Sequence, residues 1–253
     1  MAVDRLRRIL QGAVALSALV AVPVAAQTPG LPAVALPEES RVFDTAEYPQ
    51  IRLVVVVRGL SHPWGLAFLP DGGLLVTERS GNLRMIRDGA LEPASISGVP
   101  KVHAVGLAGL MDVALHPRFS ENQLVYLTYS KPGVDGVRVA LARGRLEDMA
   151  LREVQELFVS DRLDGCTAAS RVVFESDESL WMTVGGAFGA RTGGLRAQDP
   201  GDTVGKVVRL TADGGVPADN PFVGRAGYRP EIYSLGHRNQ LGLTIHPDTG
   251  ELW

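Results

Sequence analysis

The feature that most constrains this fold is a phrase that occurs four times along the chain. It runs first as Trp64-Gly-Leu-Ala-Phe-Leu-Pro-Asp-Gly-Gly-Leu-Leu-Val-Thr77. The second copy is Gly109-Leu-Met-Asp-Val-Ala-Leu-His-Pro-Arg-Phe119 followed by Leu124-Val-Tyr-Leu-Thr-Tyr129. The third spans Arg171 to Thr183, and the fourth begins at Leu241 and reaches Trp253. Each copy is an apolar strand, a polar turn built from Asp, Gly, Ser or Pro, and a second apolar strand, which together make a hairpin.

The copies stand about 45 to 70 residues apart, the spacing of four-stranded blades with loops. Strand-like runs fill the intervals, at Leu53–Val57, Leu83–Ile86, Val137–Arg143 and Val207–Leu210. They are rich in β-branched and aliphatic residues and bounded by Gly, Asp and Pro. No long stretch after the leader shows a 3.6-residue apolar period, so helices are minor. One unit repeated with its own internal turn suits a β-propeller, and a β-sandwich is the alternative. The expectation is an all-β propeller of four-stranded blades over residues 51–253. Three full units and the opening hairpin of a fourth are present, and the sequence halts inside a strand. A ring of blades leaves no bare blade face, so a chain of about three and a half blades reads as a truncated one.

The first residues read as an export signal. Asp4 to Arg8 carries three arginines, an apolar run extends from Ile9 to Val24, and Val24-Ala25-Ala26 places small residues where a signal peptidase cuts. That makes residues 1–26 a signal peptide and the product periplasmic or secreted, with no stable membrane span after cleavage. A membrane anchor is the competing reading, but the run is shorter than the roughly 20 residues a spanning helix needs. Arg7-Arg8 invites a twin-arginine route that the following residues fit poorly, so the route stays open. Residues 27–50, rich in Pro, Ala and Glu without periodicity, read as a linker.

A formal net charge of -3 gives no basic face for a nucleic acid. Five histidines and one cysteine are too few for a Cys/His zinc framework. Cys166 reads as a buried small residue. His62, His116 and His246 stand in or beside Pro-containing turns of the repeat, where an imidazole bonds the backbone. His237 and His103 are the two that could approach a cleft. Trp64, Trp181 and Trp253 recur at similar places in the repeat and read as packing between blades. Asp199, Asp202, Asp213 and Asp219 lack the alternation of a calcium loop and read as turn residues, so no metal ligand is assigned.

Five phrases in order carry a family resemblance: Leu60–Gly72, Gly109–Pro117, Gly205-Lys-Val-Val-Arg-Leu210, Val216-Pro-Ala-Asp-Asn-Pro-Phe222 and Pro230-Glu-Ile-Tyr-Ser-Leu-Gly-His-Arg-Asn239. Together they resemble the soluble aldose sugar dehydrogenases of the glucose/sorbosone dehydrogenase family, which use pyrroloquinoline quinone (PQQ). The resemblance implies a six-bladed propeller, PQQ and calcium as cofactors, an aldose sugar oxidised at C1 to a lactone, and an electron acceptor for the reduced quinone. It implies that Arg238 is a catalytic and cofactor-binding residue, polarising a quinone oxygen, and that Asn239 contacts the cofactor. A fixed cation stabilises charge arriving on a cofactor.

The same resemblance marks departures. The family's base histidine stands a few residues before a Ser-Arg pair, and here Gly165-Cys-Thr-Ala-Ala-Ser-Arg171 has no histidine, with Thr167 at that position. A neutral hydroxyl does not replace an imidazole base. The family's supporting aspartate falls on Gly186, and a glutamine falls on Leu107. The acidic stretch that supplies calcium ligands falls beyond Trp253. These replacements imply impaired turnover, or a non-catalytic propeller acting as a binding or interaction module. A calcium-dependent sugar lactonase is a third candidate, for which no carboxylate set is assigned.

Overall fold

The computed structural model describes residues 36–163, 165, 168–176, 178–186 and 193–253. The leader over 1–26, Cys166 and Thr167 lie outside the described residues. The chain divides into two compact units, Met1–Val55 and Val56–Trp253. In the first, β1 (Arg41–Phe43) pairs antiparallel with β2 (Ile51–Leu53), Val42 opposite Arg52. Asp44 Oδ1 closes the connection by accepting the Gln50 N–H at 2.9 Å. Every residue of both strands is exposed, so backbone pairing, not burial, defines this hairpin. That is why a strand occurs inside a segment without apolar periodicity. The expected strand at Leu53–Val57 is strand only at Leu53, and residues 54–57 have no regular structure.

The second unit contains three up-and-down antiparallel sheets of four strands each. The first blade is β3 (Pro63–Phe68), β4 (Leu74–Glu78), β5 (Leu83–Arg87) and β6 (Ala90–Leu91). The next blade is β7 (Leu110–Leu115), β8 (Leu124–Gly133), β9 (Gly136–Glu147) and β10 (Ala150–Val159), with the short α1 (Phe119–Asn122) in its first turn. The third is β11 (Val172–Phe174), β12 (Leu180–Val184), β13 (Lys206–Leu210) and β14 (Ile232–Leu235), with α2 (Gly193–Gln198) between β12 and β13. A fourth hairpin begins where Ile245 bridges Leu252, and Thr244 and Trp253 exchange backbone hydrogen bonds at 2.9 and 2.8 Å. The repeat read from the sequence is therefore three propeller blades and an opening hairpin.

The middle blade explains why its strands read as unbroken apolar runs. Along β8 and β9, Val125, Leu127, Ala140 and Ala142 pack toward the first blade, in a core with Leu75, Leu83 and Met85. The alternate residues Tyr126, Val139 and Leu141 pack toward the third blade, in a core with Val172, Leu180 and Met182. Period-2 alternation sends successive side chains to opposite faces, and here both faces are buried, so both sets are apolar.

One polar device repeats with the blades. Thr77, Thr128 and Thr183 occupy the same place in each second strand, and all three are fully buried. Each hydroxyl oxygen accepts a backbone N–H from its own blade, in the first strand or just before it: Gly65 at 2.8 Å, Asp112 at 3.0 Å and Arg171 at 2.8 Å. Two of them also donate to the next blade, Thr77 to Met111 O and Thr128 to Ser170 O. Asp112 extends the second junction, its Oδ2 accepting the Val172 N–H at 2.9 Å and its Oδ1 lying 3.4 Å from Arg171 Nη1. Burial nevertheless raises the Asp112 carboxyl pKa, the backbone bonds and Arg171 pulling the other way.

Candidate functional site

Arg238 and Asn239 sit on the turn that leaves β14, and that turn is fastened to the third blade at four points. Gly236 N–H donates to Ala197 O at 2.8 Å and His237 N–H to Gly205 O at 3.0 Å. Gln240 Nε2 donates to Lys206 O at 3.2 Å. Asn239 Oδ1 accepts the Gly186 N–H at 3.0 Å, across 53 residues of sequence. Two positions singled out separately in the sequence, Asn239 and Gly186, are thus bonded to each other.

The glycines around this bond are there for room and for backbone shape. A Cβ at Gly185 would collide with Asn239 Oδ1 and with the Ala169 backbone. Gly186 itself has φ +101, a region that side-chain-bearing residues avoid. Gly205 has φ +75, and a Cβ there would strike His237 O. Arg238 is exposed at the surface of the turn, Asn239 and Gln240 are half-buried, and Gln240 Oε1 is buried without a hydrogen-bond partner among the described residues.

His237 is half-buried, with Nε2 and Ser234 Oγ hydrogen-bonded at 2.9 Å. Desolvation holds its pKa below the usual histidine range, and the nearby Lys206 charge pushes the same way. The imidazole is therefore kept neutral. His103 lies in the loop before β7 with a buried Nε2 that has no hydrogen-bond partner among the described residues. Leu107 is exposed in the turn that precedes β7, where Arg79 of the first blade donates to the neighbouring Gly106 O at 2.7 Å. It is held by the first two blades, while Asn239 and Gly186 belong to the third.

Of the remaining histidines, His116 and His246 act as turn acceptors, whereas His62 Nδ1 pairs with the Ser61 hydroxyl at 3.2 Å instead of the backbone bond expected for it. His116 Nδ1 accepts the Arg118 N–H at 3.0 Å, and His246 Nδ1 accepts those of Asp248 and Thr249 at 3.2 Å each. The acidic residues are committed elsewhere: Asp202 to Arg196, Asp219 to Arg209, Asp213 to Arg143, and Asp199 to the Gly201 N–H. Among the described residues no group of three His, Cys, Asp or Glu side chains comes together as a metal site.

A cleft of about 670 Å³ runs along the flank of the third blade and is lined by Trp181, Thr183, Val207, Tyr233, His237 and Trp253 among others. Trp181 occupies the repeat position held by Leu75 and Tyr126 in the preceding blades, where it would face the next blade. It stacks edge-on against Tyr233 at 4.4 Å and donates from Nε1 to Glu175 at 3.0 Å. This cleft is a seam between blades, and it touches the Arg238 turn only through His237 and Gln240.

Sequence reading missed Lys206, which is fully buried. The signal was present: a lysine between Gly205 and the apolar run Val207-Val208, where a charge has no reason to be unless its ammonium is satisfied inside.

Comparison with known proteins follows the same lines. The family model described as Glucose / Sorbosone dehydrogenase matches residues 60–253. The aldose sugar dehydrogenase YliI of Escherichia coli is 38% identical over 214 residues, which is 80% of this chain and 55% of that protein. The crystal structure of the soluble aldose sugar dehydrogenase (Asd) from Escherichia coli in the apo-form superposes with a TM-score of 0.72 at 39% identity, covering 77% of this chain and 56% of that one. The PQQ-bound form of an aldose sugar dehydrogenase from Streptomyces coelicolor gives a TM-score of 0.66 at 27% identity, covering 86% of this chain and 60% of that one. The chain spans about half the length of the curated relatives it matches.

Proposed function

The chain belongs to the Glucose / Sorbosone dehydrogenase family, and from that premise we propose that its Arg238–Asn239 turn is a PQQ-binding element of an aldose sugar dehydrogenase with weakened turnover. The observation that carries this reading is the bond from Gly186 N–H to Asn239 Oδ1, which fixes the turn and directs the rest of that side chain. The residues present suit an anionic planar quinone. Arg238 supplies a cation at the surface, the Asn239 amide group supplies a donor, and the partnerless Gln240 Oε1 supplies a buried acceptor. The quinone, when bound, would supply the acceptor for the hydride, a proton with two electrons, that leaves the sugar C1. Calcium is expected from the family, and no described residues form a ligand set for it.

Weak turnover follows from what the chain's own groups can do with a proton. The hydroxyl proton at C1 needs an acceptor with a pKa near the working pH. Thr167 stands at the family's base position in the sequence, and His237 is already hydrogen-bonded to Ser234. The aspartate that would support a base is replaced by Gly186, in a backbone conformation suited to glycine. This last observation favours a second reading, a propeller that binds without catalysing. The leader over residues 1–26 supports a periplasmic or secreted location, with residues 27–50 as the tether. Among the described residues no helix is long and apolar enough to cross a membrane.

Reconstitution with PQQ and calcium, followed by dye reduction with a panel of aldoses, tests the reading. Slow but saturable turnover is expected, with Thr167→His and Gly186→Asp together giving little recovery. No turnover with any aldose, in a folded protein that binds the quinone, would favour the binding module.

A further inference from the structure

Lys206 is the one fully buried lysine in the described fold, and its Nζ donates to two backbone carbonyls, Arg196 O at 2.8 Å and Val204 O at 2.9 Å. The first lies near the end of α2, the second just before β13. One ammonium therefore staples the return of the long β12–β13 excursion onto the blade. The next carbonyl along from Arg196 is Ala197 O, which receives the Gly236 N–H; the carbonyls of Gly205 and Lys206 receive the His237 N–H and the Gln240 side chain. All three attachments of the Arg238 turn other than the Asn239 bond thus start within one residue of a group that Lys206 is or holds.

We propose that Lys206 is the positioning residue of the Arg238–Asn239 turn, fixing it for an anionic cofactor while making no contact with that cofactor. As a statement about PQQ this rests on the functional reading above; as a statement about the turn it does not. Hydrogen bonds from an ammonium are stronger than neutral ones, and buried carbonyls left without donors are costly, so removing the charge releases α2 and the turn together. The charged and titratable groups around Nζ are Asp199 and Asp202 after α2, Asp161 after β10, Arg196 on α2 and the neutral His237 on the turn. Burial outweighs the three carboxylates and brings the Lys206 pKa down to about 8.

The staple is therefore charged at neutral pH and loses its charge in mild alkali. Global stability moves the other way. An unfolded lysine holds its proton to about 10.5, so between about 8 and that value the unfolded chain binds more protons and the contribution of Lys206 to stability rises with pH.

The test is amide exchange on the full chain and its Lys206→Met variant. Exchange at Gly236 and His237 is expected to speed up about tenfold or more relative to Met182 in β12, with a higher His237 pKa by NMR and a roughly tenfold weaker PQQ dissociation constant. Unchanged exchange at Gly236 and His237 overturns the proposal. Should the variant exchange everywhere, Lys206→Gln, which keeps a side-chain N–H donor at this place without the charge, decides: its Gly236 and His237 amides must exchange faster than in the wild type relative to Met182, and an unchanged ratio overturns the proposal. A wild-type chain that takes up no PQQ refutes the functional reading, while the exchange result still judges Lys206.

Discussion

Asn239 gives its side-chain carbonyl to the backbone of Gly186, so its substitution separates two roles. Asn239→Ala leaves a buried N–H without its acceptor, which costs about 1–3 kcal/mol; Asn239→Asp keeps an acceptor oxygen, and chemical denaturation is expected to show it closer to wild type. Gly185→Ala forces a Cβ against Asn239 Oδ1 and the Ala169 backbone, and a loss of about 1–3 kcal/mol is expected from overpacking. His116 provides a pH test. It is buried, its Nδ1 accepts the Arg118 N–H, and desolvation lowers its pKa despite the opposing pull of Glu178. With the folded pKa below that of the unfolded chain, the unfolded state binds more protons as pH falls below about 6.5, and stability is lost in that direction. His116→Asn keeps a turn acceptor without the titration, so its melting temperature should fall less than wild type between pH 7 and 5. The turn role of His116 was legible from the Pro that follows it. The role of Lys206 was not, because single-residue reading does not reveal which carbonyls a buried ammonium will find.

Blades are joined by elements that the repeat itself announces. The Thr77 and Thr128 hydroxyls each bond the first strand of their own blade and a carbonyl in or just before the first strand of the next, whereas the Thr183 hydroxyl, among the described contacts, accepts only from Arg171. Thr→Val keeps shape and removes the hydroxyl, so urea denaturation should show Thr77→Val losing about 1–3 kcal/mol and Thr183→Val less. Equal losses at all three positions would contradict the clasp. The strands of the middle blade were legible because both faces are buried and both residue sets are apolar. The β1–β2 hairpin was not, since its strands bury nothing and leave no periodic trace. Gly186 and Asn239 were singled out separately; that they bond to each other is a matter of tertiary packing across 53 residues, which spacing alone does not encode.

At the scale of the molecule, the repeated phrase was enough to give an all-β propeller, because one hairpin with its own turn must stack on copies of itself to bury both faces. The family followed from five ordered phrases, and the matching of residues 60–253 agrees with them. Function was less legible: by the resemblance the family's base, aspartate and glutamine positions fall on Thr167, Gly186 and Leu107, while Arg238 and Asn239 match its motif. On the proposed function, these two residues keep a hold on the quinone that is separate from the ability to turn over sugar. The most direct measurement is an absorbance titration of the full chain with PQQ, run beside Arg238→Ala. The expected result is saturable equimolar binding by the wild type and binding weaker by about tenfold or more, near 1.4 kcal/mol, in the variant. No binding by the folded wild type, or equal binding by both, would contradict the assignment of the Arg238–Asn239 turn as the cofactor site.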